Sequence, residues 1–251
     1  LPFELWTALF MFLAGGSFSL YYRAYVKGPA VILHNTEFRT YLGIVLAATL
    51  LIALNLILSM GMDGSMAARV AIFQVTSLST TGFVSADFET WPTFSKMVLL
   101  LLMVIGGCAG STASGIKVAR LILLVRNARA VVLQKLNPNR VVDITLTGAH
   151  VDGAMLLRVG TFFFLYLAVI FVTAFLLAMD GLLPFDAVAV AITTIGNIGP
   201  AFGIVSATST YAPLSDFSKA ILCLTMLLGR LEIFTLLILL QPSFWRRTHR
   251  W

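Results

Sequence analysis

The chain has 251 residues, 59% of them hydrophobic and only 11% charged, where an ordinary soluble domain carries roughly a quarter charged residues. That excludes a cytosolic globule, and hydrophobicity this high excludes a disordered chain. The formal net charge of +6 sits at the flanks of apolar runs rather than among aromatics on a polar face, which points to membrane topology and away from nucleic acid.

The chain opens Leu1-Pro2-Phe3-Glu4, without a basic n-region, so this stretch reads as the interior of a longer protein rather than a signal peptide. Crossing a bilayer takes about 20 apolar residues. Uncharged stretches of that order run over 5–22, 40–62, 97–116 and 159–179; a fifth, 220–241, is interrupted only by Arg230 and Glu232. Two segments, about 66–78 and 185–195, are too short to cross. Each ends in a Gly-containing polar stretch, the pattern of a re-entrant half-helix.

Basic residues set the orientation. Arg23, Lys27, Arg39, Lys117, Arg120, Arg126, Arg129, Lys135, Arg140, Arg158, Arg246, Arg247 and Arg250 fall on one side, against Arg69, Lys96 and Lys219 on the other, and the richer side is assigned to the cytoplasm. Most acids, among them Asp63, Glu89, Asp180 and Asp186, then lie outside. They either concentrate cations at a mouth or are solvated loop acids.

An internal repeat organises the chain. The run from Ser95-Lys96 to Gly106 matches that from Ser218-Lys219 to Gly229, and Thr76-Ser77-Leu78-Ser79-Thr80-Thr81-Gly82 aligns with Thr193-Thr194-Ile195-Gly196-Asn197-Ile198-Gly199. The unit of helix, half-helix, glycine loop and helix thus occurs twice. A backbone that turns within the membrane at Ser79–Phe83 exposes carbonyls that must face protein or water. Glycine at 82 and 199 permits the positive φ that points successive carbonyls one way, and carbonyl rings that replace a hydration shell form potassium filters. Small-residue helix packing is the competing explanation for either loop taken alone.

Between Gly106 and Gly115 lie four glycines with Ser111, Thr112 and Ser114. Each interior glycine weakens a helix by about 1 kcal/mol relative to Ala, so this stretch predicts a broken helix whose loop lines the cavity below the filter. Arg230 is a charge in the middle of a span, costing at least about 2.5–3.5 kcal/mol unless it faces a cavity or a partner. It aligns with Gly107, and its five donors suit freed carbonyls of 107–114. Pairing with Glu232 is disfavoured, because residues two apart on a helix point to different sides.

Enzyme chemistry finds no support. Gly110–Lys117 lacks the Gly-Lys-Ser/Thr order of a phosphate loop and follows no strand. No Ser is flanked as in Gly-x-Ser-x-Gly. His34, His150 and His249 are scattered, and Cys108 and Cys223 lie in apolar runs, so neither a zinc site nor a disulfide framework is expected. No cofactor is expected.

Four stretches, Ser79–Phe83, Gly106–Lys117, Asn197-Ile198-Gly199-Pro200 and Gly229-Arg230-Leu231-Glu232-Ile233-Phe234-Thr235, resemble the Trk/Ktr/HKT superfamily of potassium transporters, and within it the TrkH-type pore subunit. The resemblance implies an all-α membrane protein of M1–P–M2 repeats, four to a pore, in the bacterial cytoplasmic membrane. It assigns 1–39 to the last helix of the second repeat with a cytoplasmic linker, 40–126 to the third repeat, 127–157 to a basic linker and 158–251 to the fourth repeat with a tail. Filter positions are then Ser79, Thr80, Thr81, Gly82, Phe83, Gly196, Asn197, Ile198 and Gly199. Potassium is expected at the main chain of Thr80, Thr81, Asn197 and Ile198, with the side chains of Thr80, Thr81 and Asn197 bracing the loops. The resemblance makes Gly106, Gly107, Gly110, Ser111, Thr112, Gly115 and Lys117 an intramembrane gating loop that Arg230 contacts. The expected partners are potassium, the lipid bilayer, a second copy in a homodimer and a cytosolic nucleotide-binding TrkA-type regulatory subunit docked on basic surfaces such as Lys117–Arg140. Potassium uptake through a gated filter is the expected function. The alternative is a coupled carrier working by alternating access, against which the like orientation of the two repeats counts.

Overall fold

The computed structural model describes residues 2–137, 143–231 and 233–245. Helix α1 (Pro2–Gly15) meets α2 (Phe18–Lys27) at 91°. The run 5–22, which reads as one span, is therefore a bent pair. Two consecutive glycines weaken the helix at the corner, and Gly15 packs so tightly against the Tyr41 hydroxyl and the Thr80 methyl that a side chain there would collide with both.

A short helix α3 (Ala30–His34) leads to α4 (Thr36–Met60), whose first turn is capped by the Asn35 side chain accepting from Phe38 N at 2.9 Å. The next helix, α5 (Gly64–Thr80), is capped by Asp63, which accepts from Ser65 N at 3.0 Å. A 3-10 turn at Phe88–Thr90 precedes α6 (Thr93–Ile105). The chain then leaves the helix for 12 residues before α7 (Val118–Leu136).

A two-stranded hairpin, β1 (Thr145–Leu146) with β2 (Ala149–His150), follows. It is the departure from an all-α chain. The helix α7 also runs ten residues past the expected boundary at 126, because no helix breaker occurs before Asn137-Pro138. The second half repeats the order of the first: α8 (Gly153–Met179), α9 (Pro184–Ile195), a 3-10 turn at Gly203–Val205, α10 (Asp216–Arg230), α11 (Ile233–Leu240) and α12 (Pro242–Trp245). The expected span 220–241 bends by 109° between α10 and α11. Glu232, Arg140 and the tail arginines Arg246, Arg247 and Arg250 lie outside the described residues.

Among the described residues, α4 and α8 are the single helices long and apolar enough to cross a membrane. Their outer faces carry exposed Leu46, Leu50, Leu54 and Leu58 on α4 and Phe164, Phe171 and Phe175 on α8. Such surfaces are intolerable in water and ordinary against lipid tails. The short helices take the opposite position. Every residue from Phe73 to Thr80 of α5 and from Ala189 to Ile195 of α9 is buried, which makes these two helices the centre of the molecule.

The matched Ser-Lys pairs explain how each unit closes. Ser95, fully buried at the start of α6, donates to Asn55 Oδ1 on α4 at 2.7 Å. Its counterpart Ser218, equally buried in α10, donates to Asp180 Oδ2 at the end of α8 at 2.5 Å. Both serines tie the helix after a glycine loop back to the long helix before it.

Candidate functional site

Both central helices run out at a glycine loop, so the partial negative charge of each C-terminus is directed at its loop. After α5, the N–H groups of Thr81 and Gly82 both donate to Ser77 O, at 2.7 and 2.9 Å. The Ser77 hydroxyl donates to Phe83 O, and Gly82 takes φ +80°. After α9, Asn197 N donates to Thr194 O and Ile198 N to Thr193 O, both at 3.0 Å. The Thr193 hydroxyl donates to Pro200 O at 2.8 Å and the Tyr211 hydroxyl to Gly199 O at 2.5 Å. Gly199 sits at φ +114° and Asn197 at φ +51°.

These bonds sort the loop carbonyls. Those of Phe83, Gly199 and Pro200 accept from hydroxyls and are braced. Among the described residues, the carbonyls of Ser79, Thr80, Thr81 and Gly82 in the first loop, and of Gly196, Asn197 and Ile198 in the second, accept from no protein donor. Unpaired carbonyls at the negative ends of two buried helices form a surface matched to a cation.

The loops touch. A Cβ on Gly82 would land on the carbonyl oxygen of Ile198, whereas one on Gly199 would meet open space. The side chains serve as braces. Thr80 Oγ1 donates to Thr76 O at 3.0 Å and lies 3.5 Å from Met11 O on α1. Asn197 Nδ2 donates to Met226 O at 3.1 Å and lies 3.4 Å from Ser114 Oγ. Thr81 Oγ1 is buried without a partner among the described residues.

The inner loop is a closed lasso. Beyond α6, Gly106 turns at φ +72° with its Cα against Ser114 O, a place no side chain could occupy. At the far end Ile116 N, Lys117 N and Val118 N return to Val104 O, Ile105 O and Gly107 O at 3.2, 2.9 and 2.9 Å. Residues 106–116 therefore do not extend the span begun at Met97. They leave the helix and come back to its end, where α7 begins.

The lasso is docked on the α1–α2 corner. Cys108 N donates to Gly15 O at 2.8 Å, Thr112 N and Oγ1 reach Ala14 O at 3.4 and 3.2 Å, and Phe18 N donates to Gly110 O at 3.2 Å. Arg230 Nη1 donates to Thr112 O of the loop at 2.9 Å. Glu37 of α4 accepts from Ala109 N. The corner, Glu37 and Tyr211 escaped sequence reasoning. Gly15-Gly16 inside an apolar run was the available signal for the corner, and the other two had none.

The acids expected at the outer side make structural contacts. Glu89 pairs with Lys96 at 2.7 Å and accepts from Gly203 N at 3.0 Å, and Asp186 accepts from Ile204 N at 3.3 Å. Edge-to-face packing of Phe88 on Phe202, centroids 5.3 Å apart, adds a second tie between the outer segments of the two units. Asp180 is held below the ordinary carboxylate range by the Ser215 and Ser218 hydroxyls, and Asp63 likewise by the Ser65 hydroxyl and the first amides of α5. Among the described residues no group of His, Cys, Asp and Glu is arranged to hold a metal ion.

The model of a family described as TrkH, cation transport protein, matches residues 2–247. The Trk system potassium uptake protein TrkH of Salmonella typhimurium is 34% identical over 243 residues, covering 95% of this chain and 50% of that protein. Its Vibrio parahaemolyticus namesake is 36% identical over 249 residues, 96% of this chain and 50% of that one. The crystal structure of the potassium transporter TrkH from Vibrio parahaemolyticus superposes with a TM-score of 0.89 at 34% identity, covering 97% of this chain and 53% of the other. The chain spans about half the length of these relatives.

Proposed function

The chain belongs to the TrkH cation transport protein family, and on that premise we propose that it forms half of a potassium uptake pore in the bacterial cytoplasmic membrane. In this reading residues 40–126 and 158–245 are two M1–P–M2 units, α5 and α9 are their pore helices, and 1–39 is the closing helix of a preceding unit. Two further units from a longer chain complete a four-fold filter. The relatives' printed names supply the ion, and the observation that carries the reading is the apposition of the two glycine loops. Where they touch, the α-carbon of Gly82 lies against the Ile198 carbonyl oxygen, and both loops carry carbonyls that accept from no protein donor among the described residues, at the negative ends of two buried helices.

Potassium sheds water at the carbonyls of Thr80, Thr81, Asn197 and Ile198. The braced carbonyls of Phe83 and Gly199 hold the loops' outer ends. Below them, the 106–117 lasso obstructs the path, with Arg230 adding a positive barrier and a bond to Thr112. A homodimer, and a TrkA-type regulatory subunit on the cytoplasmic surface of α7, complete the proposed assembly. Potassium-limited growth of an uptake-deficient bacterium carrying the full-length gene tests the reading, alongside potassium and sodium flux in proteoliposomes. Growth rescue with potassium preferred over sodium supports it, and flux without any cation preference overturns it.

A further inference from the structure

We propose that Glu37 is a positioning residue that latches the 106–117 lasso in the docked state. The inference deepens the gating reading above and rests on it. Glu37 lies in the first turn of α4, 72 residues before the amide it holds, and is half-buried. A carboxylate in a first turn ordinarily serves its own helix. Here that place is filled, because the Asn35 side chain caps Phe38 N. The Glu37 carboxylate is free to face outward, and it accepts from Ala109 N near the tip of the lasso.

One carboxylate on α4 therefore holds the tip of the lasso. Other docking bonds come from the backbone of the α1–α2 corner, from Arg230 and from Asn197. Glu37 and Arg230 hold residues 109 and 112 by opposite charges from different helices, α4 and α10. A loop pinned this way is released when either helix shifts, since a charge-assisted bond weakens steeply with distance and angle.

The test uses the full-length protein in proteoliposomes, with Glu37→Ala and Glu37→Gln. Two quantities are read: basal potassium flux with its potassium-to-sodium ratio, and deuterium exchange of the segment 106–117. Glu37→Ala is expected to raise basal flux and segment exchange about tenfold, the weight of one charge-assisted hydrogen bond, with the ion ratio unchanged. Glu37→Gln keeps an oxygen for the Ala109 amide but loses the charge, and is expected to raise both by only about twofold to threefold. Unchanged exchange in Glu37→Ala overturns the proposal, as does a Gln variant as open as the Ala one. If the Ala variant does not assemble, the Gln variant decides: a rise of about twofold or threefold in exchange supports the latch, and no rise overturns it. Absence of selective flux in the parent defeats the pore reading instead, while the exchange readout still reports on the latch.

Discussion

The α-carbon of Gly82 rests against the carbonyl oxygen of Ile198, 116 positions later in the chain, so closely that no side chain fits between them. Its φ of +80° independently disfavours any residue with a Cβ, by about 1–2 kcal/mol. The two demands coincide because the loop turns tightly enough to present its carbonyls and a neighbouring loop fills the space this leaves. Gly82→Ser is expected to push the Ile198 carbonyl aside and lower potassium-over-sodium preference roughly tenfold, an energy of about 1.4 kcal/mol. Gly199→Ser meets open space and is expected to disturb selectivity less, with only backbone strain to absorb. Reversal potentials in mixed potassium and sodium compare the two. Equal effects, or none at Gly82, would remove the apposed loops from the filter.

Much of this architecture was legible in the sequence, for physical reasons. Hydropathy and length picked out α4, α8 and the short helices α5 and α9, because the membrane makes those properties decisive. Four glycines in ten residues marked the break at Gly106. What stayed hidden depends on contacts between distant segments. The α1–α2 corner lay inside an uncharged run marked only by Gly15-Gly16, and its purpose, offering the Ala14 and Gly15 carbonyls to Thr112 and Cys108, exists only once the chain has folded. Glu37 carried no signal in the sequence, since nothing local announces that Ala109 will need an acceptor.

Arg230 donates to Thr112 O from the end of α10. Removing the guanidinium takes away that bond and, with it, the positive barrier proposed above. Arg230→Ala is expected to raise basal cation leak by at least about tenfold, the size of one charge-assisted bond. Arg230→Lys keeps the charge without the guanidinium's fork of donors and is expected to fall between the two. Isotope uptake into proteoliposomes measures it; leak at the parent level would leave the arginine without a gating role.

Asp180 accepts hydroxyl hydrogen bonds from Ser215 and Ser218, which hold its carboxyl below the ordinary range. A carboxylate with a lowered folded value stabilises the fold above its unfolded value, about 3.9, and that contribution disappears as pH falls through the lower, folded value. Thermal unfolding in detergent between pH 6 and pH 3 should therefore show an acid limb below about pH 4. Asp180→Asn is expected to make that limb shallower, because its amide does not titrate, with the part due to Asp63 left in place. A limb of unchanged depth in the variant would assign acid sensitivity to other carboxylates.

Tyr211 braces the second loop through Gly199 O, and burial pushes its phenol up to about 12. The neutral phenol is therefore the form that the fold retains. Because the unfolded group ionises near 10, stability from this site is constant below that pH and declines as pH rises from about 10 to about 12. Tyr211→Phe removes the donor while keeping the ring. It is expected to cost about 1 kcal/mol, to abolish this part of the alkaline decline, and to loosen the second loop without touching the first. Selectivity should then fall less than in Gly82→Ser, because the Ile198 carbonyl keeps its neighbour. Melting curves at pH 8 and pH 11, read beside reversal potentials, separate the two effects. A Phe variant with parental selectivity, stability and alkaline decline would show that the Gly199 carbonyl needs no brace.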